Sequence, residues 1–160
     1  MDSHDRTAAG AAVTGLILET FRLNGRLLSA GDALCRDLGL TSARWQVMGA
    51  IDAAPLPVAH IARTMGLTRQ AVQRVTNDLA AEGFVTFQDN PHHRRAKQVA
   101  LSARGRSALN LITARQIEWS NRLAATLAAE TLATATAVMA TLCQRLETGL
   151  ETDPAAAAQP

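Results

Sequence analysis

Pro57-Val58-Ala59-His60-Ile61-Ala62-Arg63-Thr64-Met65-Gly66-Leu67-Thr68-Arg69-Gln70-Ala71-Val72-Gln73-Arg74-Val75-Thr76-Asn77-Asp78-Leu79 is the stretch that decides the fold. Pro57 suits the first turn of a helix, because its missing N–H is one that the helix start leaves unbonded anyway. Val58, Ile61, Ala62 and Met65 then recur at helical spacing and face inward. Gly66 supplies a turn, and Thr68 is a natural N-cap for a second helix from Arg69 to about Glu82. That helix buries Val72, Val75 and Leu79 and ends at Gly83. Its solvent side is left with Thr68, Arg69, Gln70, Gln73, Arg74 and Asn77, every one able to hydrogen-bond.

Beyond Gly83 the period switches from helical to alternating. Val85 and Phe87 point one way in a short strand, Val99 and Leu101 do so in a second, and Asp89 to Arg95 connects them. Two short helices followed by a strand, a basic loop and a strand describe a winged helix-turn-helix. Upstream, a long helix is expected over about 12–38, with Leu16, Thr20, Leu23, Leu27, Leu34 and Leu38 on one stripe and Ile17, Phe21, Leu28 and Cys35 beside it. Such a helix is ~40 Å long, and its stripe is wider than a small globule covers, so a partner helix is expected. Gly39 ends it, and Thr41 or Ser42 caps a helix carrying Trp45, Val47, Met48 and Ile51. Downstream, Leu109, Ile112, Gln116, Trp119 and Leu123 step as a helix-packing seam. A last helix, 130–150, should turn Leu132, Ala135, Met139, Leu142, Leu146 and Leu150 inward. The expected class is mainly α: a winged helix-turn-helix with a two-stranded β-wing and long N- and C-terminal dimerisation helices. On this reading residues 41–101 are expected to form a DNA-binding domain, 12–40 and 102–150 a helical dimerisation region, and 1–9 and 153–160 disordered tails.

Composition agrees. The 160 residues include 32 Ala and 20 Leu against five aromatics and no Tyr, which favours helix and excludes an all-β sandwich. The formal net charge of +2 hides an asymmetry. Between Leu56 and Arg106, eight cations (Arg63, Arg69, Arg74, Arg94, Arg95, Lys97, Arg104 and Arg106) meet three carboxylates, a net +5, while the remainder is at −3. A basic middle between acidic flanks points to a polyanion partner. Arg matches guanine O6/N7 and Gln or Asn matches adenine N6/N7 in a major groove that admits one helix. The loop carrying Arg94, Arg95 and Lys97 would reach flanking phosphates or the minor groove. The alternative from another class is a winged-helix protein-interaction module without DNA binding.

Other chemistries find little footing. There is no GxSxG, Walker loop or HExxH, so no catalytic residues are assigned and an enzyme is not expected. His92 and His93 have no metal-ligand spacing with Cys35 or Cys143, and neither a metal nor another cofactor is expected. Both cysteines sit on apolar stripes and read as buried, inert thiols. The N-terminus lacks a basic and apolar leader, and the longest uncharged run, 131–144, is too short and too rich in Thr to span a bilayer. A cytoplasmic protein without a membrane partner is expected.

The run from Leu40-Thr41-Ser42-Ala43-Arg44-Trp45-Gln46-Val47 to Gly105 resembles the MarR (multiple antibiotic resistance regulator) family of bacterial transcription factors. The resemblance extends through Ile61-Ala62, Gly66-Leu67-Thr68, Leu79-Ala80-Ala81-Glu82-Gly83-Phe84-Val85, and Arg94-Arg95 leading to Leu101-Ser102-Ala103-Arg104-Gly105. The order of elements fits about residues 12–150. The resemblance implies an obligate homodimer with interlocking terminal helices that reads a pseudo-palindrome in double-stranded DNA as a regulator, by expectation a repressor. It implies a minor-groove role for Arg95. The family's bracing Asp is replaced by His93 here, and Asp89 is the other candidate brace. It also implies a small-molecule pocket between the dimerisation helices and the winged domain. There Arg22, Arg26, Arg44 and Trp45 would suit an aromatic carboxylate or phenol. The residues themselves read equally well as a core Trp and surface ion pairs.

Overall fold

The computed structural model describes residues 6–91 and 96–152, and the chain divides into two compact units, residues 1–116 and 117–160. Helix α1, Ala8–Cys35, starts earlier than the apolar spacing predicts, because the Thr7 hydroxyl accepts the Gly10 N–H at 3.0 Å and caps the helix there. At its other end Cys35 is fully buried, and the chain tightens into a 3-10 turn, Arg36–Leu38, that stops at Gly39 with φ 70°. The expected helix over 12–38 is therefore shifted toward the N-terminus. Residues 1–5 and 153–160, the core of the expected tails, lie outside the described residues.

Helix α2, Ser42–Ala50, is capped by the Thr41 side chain and buries Val47 and Met48, with Ile51 just beyond its end and Trp45 half-buried against the core. It lies close against α1. A Cβ on Gly31 would stand 2.8 Å from the Ser42 Cβ, and the Asp32 carboxylate of α1 accepts the Ser42 N–H at 2.7 Å.

The turn at the centre of the fold forms as its residues dictate. Helix α3, Val58–Met65, ends at Gly66 with φ 63°, a left-handed conformation that glycine adopts without a Cβ penalty. The Leu67 N–H closes the turn onto the Ala62 carbonyl at 2.9 Å. Thr68 then caps α4, Arg69–Ala81, by accepting the Ala71 N–H at 3.2 Å. Val72 and Leu79 are buried as expected, Val75 is half-buried, and Thr76 is fully buried. A buried Thr is tolerated because its hydroxyl donates back to the Val72 or Gln73 carbonyl.

Strands β2, Val85–Gln88, and β3, Gln98–Leu101, form the expected antiparallel hairpin, with Val85 opposite Leu101 and Phe87 opposite Val99. A third strand joins it: β1, Leu56–Pro57, pairs with β3, so the sheet order is β1-β3-β2. Pro57 is thus extended (φ −65°, ψ 147°) at the N-cap of α3, one step before the helical turn that the sequence reading gave it. Proline is compatible with this place because β1 is an edge strand. The core of the unit gathers Met48, Ile51, Ile61, Val72, Leu79, Val99 and Ile112, the last from α5, Ala103–Leu123.

In the second unit, α6 spans Ala129–Thr152. The helical spacing predicts Leu132, Ala135, Met139, Leu142, Leu146 and Leu150 inward. In the single chain Leu132 is 40% and Leu146 66% exposed, Ala135 is exposed, and Met139 and Leu142 are half-buried. Among the described residues the unit holds the end of α5 and α6, too little to cover so long a stripe. The side chain of Leu150 lies outside the described residues.

Candidate nucleic-acid interface

Helix α4 is held from beneath and open above. Burial of Val72, Thr76 and Leu79 leaves Arg69, Gln70, Arg74 and Asn77 exposed and Gln73 half-buried on the far face. These five residues and Asp78 line a broad shallow depression of about 660 Å³. A second groove of about 360 Å³, between α4, the start of α3 and the sheet, is lined by Arg69, Gln73 and Asn77 together with Phe87 and Lys97. Lys97, predicted from its place in the wing, is therefore brought beside the α4 face. Thr68 is exposed, but its hydroxyl is engaged as the helix cap. On the face itself the Gln73 Nε2 donates to the Asn77 Oδ1 at 2.9 Å.

Asp89, one of the two bracing candidates, is exposed, while its neighbour Asn90 is buried. His93, Arg94 and Arg95, with His92, lie outside the described residues.

The +5 segment does not present all its charge on this face. Arg106 bonds the Asp52 carboxylate and donates to the Asp52 carbonyl at 2.8 Å. Arg104 donates to the Glu82 carbonyl at 2.6 Å and stacks on the Phe84 ring at 4.3 Å from its centroid. Both tie the start of α5 to the winged region. Sequence reading counted them as free charge because their partners lie 22 and 54 residues away.

That same junction supports the base of the wing. The Ser102 hydroxyl donates to the Gly83 carbonyl at 2.6 Å and accepts the Gly105 N–H at 3.0 Å, capping α5. At the far end of α4, the Arg44 guanidinium grips both oxygens of Glu82 at 2.8 and 3.0 Å and donates to the Gly39 carbonyl at 3.2 Å. Arg115 grips Asp37 through both carboxylate oxygens (2.6 and 2.7 Å) and the Leu34 carbonyl at 2.9 Å, joining α5 to the end of α1. This hydrogen bonding holds the Asp37 carboxyl below its ordinary pKa and raises that of Arg115.

Of the candidate ligand residues, Arg44 is thus engaged with Glu82, and Arg22 pairs with Glu19 at 2.8 Å on an open stretch of α1. Arg26 is exposed on α1, and Trp45 is half-buried. Cys35 is buried as expected, and burial, with the Asp32 charge, pushes its thiol up to about 11. Cys143 departs from expectation: it is exposed, because it rides on the uncovered α6. Among the described residues, no group of three or more His, Cys, Asp and Glu could hold a metal ion, and no helix is long and apolar enough to cross a membrane.

Comparison with known proteins agrees with this geometry. A model of the MarR family matches residues 38–96, from the end of the 3-10 turn into the wing. The uncharacterized protein Rv2011c of Mycobacterium tuberculosis is 39% identical over 112 residues, covering 70% of this chain and 78% of its own. The chain belongs to the MarR family. Solved MarR-type structures share the fold. A MarR/EmrR family regulator from Acinetobacter sp. ADP1 superposes with a TM-score of 0.76 at 15% identity, over 84% of this chain and 96% of its own. The M. tuberculosis transcriptional regulator MOSR, solved in complex with DNA, gives a TM-score of 0.70 at 22% identity, over 82% and 96%.

Proposed function

We propose that the chain is a cytoplasmic, sequence-specific double-stranded DNA-binding regulator of transcription, a homodimeric repressor on a pseudo-palindromic operator. The observation that carries this reading is the α4 face. A helix pinned through Val72, Thr76 and Leu79 offers Arg69, Gln70, Gln73, Arg74 and Asn77 to solvent, with Lys97 beside it. Those side chains suit base edges and phosphates in a major groove. MarR membership and the DNA complex of MOSR support the same partner. In this reading residues 41–101 bind DNA, and 12–40 and 102–150 dimerise. Arg94 and Arg95 extend the contact at the wing, with Asp89 or His93 bracing Arg95. A small aromatic ligand would meet the half-buried Trp45 with Arg44 next to it in sequence, and Arg22 and Arg26 would have to come from α1.

Retention on a random duplex across a salt titration tests the reading. Neutralising each phosphate contributes about −0.9 to the slope of log K against log[salt]. A dimer using several cations per half-site should lose orders of magnitude in affinity between about 50 and 200 mM salt. Absence of retention, or a flat response, would favour a protein-interaction module.

A further inference from the structure

We infer that Gln73, oriented by Asn77, is an adenine-reading side chain of the recognition helix, so that each operator half-site contains an A·T pair at the position facing Gln73. This inference rests on the DNA-binding reading of α4 and sharpens it to one side chain and one base.

A glutamine amide carries two N–H donors on Nε2 and one acceptor, Oε1. Gln73 gives one N–H to the Asn77 Oδ1 at 2.9 Å. What remains is one N–H and Oε1, a donor beside an acceptor. Adenine presents the complement in the major groove, an N7 acceptor beside an N6–H donor, whereas guanine presents two acceptors, O6 and N7. The reverse bond, Asn77 donating to the Gln73 Oε1, would occupy one of that oxygen's two lone pairs and leave both Nε2 donors, an arrangement that favours guanine. A guanine preference at this position would therefore point to the reverse bond.

Two features fix the amide before DNA arrives. Gln73 is half-buried, and it lines the groove with Phe87 and Lys97 that runs between α4 and the sheet. Asn77, one turn further along α4, anchors the amide end by the hydrogen bond. A half-buried side chain with its amide hydrogen-bonded has less freedom to lose on binding than the exposed Gln70, which lines the broader depression. Asn77 is thus a positioning residue. The ordinary role of such an i,i+4 pair is to stabilise the helix surface, and that role alone predicts no effect on base preference.

The test starts from the operator that the wild-type chain selects. Each base pair of one half-site is changed in turn, and binding is measured for wild type, Gln73→Ala, Asn77→Ala and Asn77→Asp, with a random duplex in parallel. Wild type should lose on the order of tenfold or more when one particular A·T pair becomes G·C. Gln73→Ala should be indifferent to that change while still discriminating at other positions. Asn77→Ala should shrink discrimination at that pair more than it lowers affinity for random duplex. Asn77→Asp can only accept the Gln73 N–H, so it should keep the adenine preference although its charge weakens binding to all duplexes. If Gln73→Ala keeps the wild-type preference at every position, or the pair it governs is G·C, the inference is overturned while the DNA-binding reading stands. If wild type selects no duplex, the DNA-binding reading itself fails.

Discussion

Gly105 sits where any other residue would meet the backbone: a Cβ there would stand 1.9 Å from the Phe84 carbonyl oxygen. Since the obstacle is backbone, it cannot rotate away, and Gly105→Ala should destabilise the fold by ~3 kcal/mol or more. Thermal unfolding of the variant checks this, and a wild-type Tm would contradict the close packing of α5 on the start of β2. Asp32 makes a pH-dependent contribution. The Ser42 backbone N–H, then the Ser42 hydroxyl, hold its carboxyl below the ordinary value of 3.8. A depressed carboxyl stabilises the folded state fully above its unfolded pKa, and that contribution is lost as pH falls through the folded value. Asp32→Ala should therefore lower Tm at pH 7 and by less at about pH 3, below the ordinary carboxylate pKa. Asp32→Asn, which can still accept the Ser42 N–H, should recover most of the loss at neutral pH. Neither residue announces its role in the sequence. Gly105 was visible only as part of a family motif, and the bond from Asp32 to Ser42 crosses between two helices.

Helix α4 is the element on which the proposed function rests, and its exposed face was legible for a local reason. Val72 and Leu79 at helical spacing fix which side is buried, so the opposite side follows from the sequence alone. Arg69→Ala, Gln70→Ala and Arg74→Ala should separate into two kinds. Loss of a base contact should cost ~1–3 kcal/mol and relax preference at one position. Loss of a phosphate contact should weaken all duplexes alike, and Lys97→Ala should reduce the salt slope by about 1. Binding unchanged in all four would mean that α4 is not the recognition helix. Less of the sheet was legible. Strand β1 is two residues long and contains Pro57, so it has neither the length nor the alternation by which strands are read, and only its pairing with β3 reveals it. The Gln73–Asn77 bond was likewise hidden, because both residues read simply as polar and exposed. Arg104 and Arg106 show the converse error, in which charge counted along the chain is neutralised or engaged across it.

At the scale of the whole molecule, the single chain leaves large apolar side chains in water at both termini. On α1, Phe21 is 72% and Ile17 46% exposed, and on α6 Leu146 is 66% exposed. Patches of this kind mark interaction surfaces, in line with the proposed dimer of terminal helices. Here the helical spacing was read correctly, but the direction "inward" on α6 has no meaning within its own unit. In the proposed homodimer, Leu142→Glu or Leu146→Glu should unfold or monomerise the protein and abolish DNA binding without touching a DNA contact. Sedimentation together with duplex binding checks this, and a dimeric, binding-competent Leu146→Glu would contradict it. A dimer also ties stability to protein concentration, so Tm should rise on concentration. The account as a whole is tested most directly by sequencing the duplexes that the wild-type protein selects from a random pool. Two α4 helices related by a two-fold axis predict an inverted repeat with half-site centres about one helical turn apart, roughly 10 bp, or a multiple of that spacing. Enrichment of a single asymmetric site, or no enrichment at all, would contradict it.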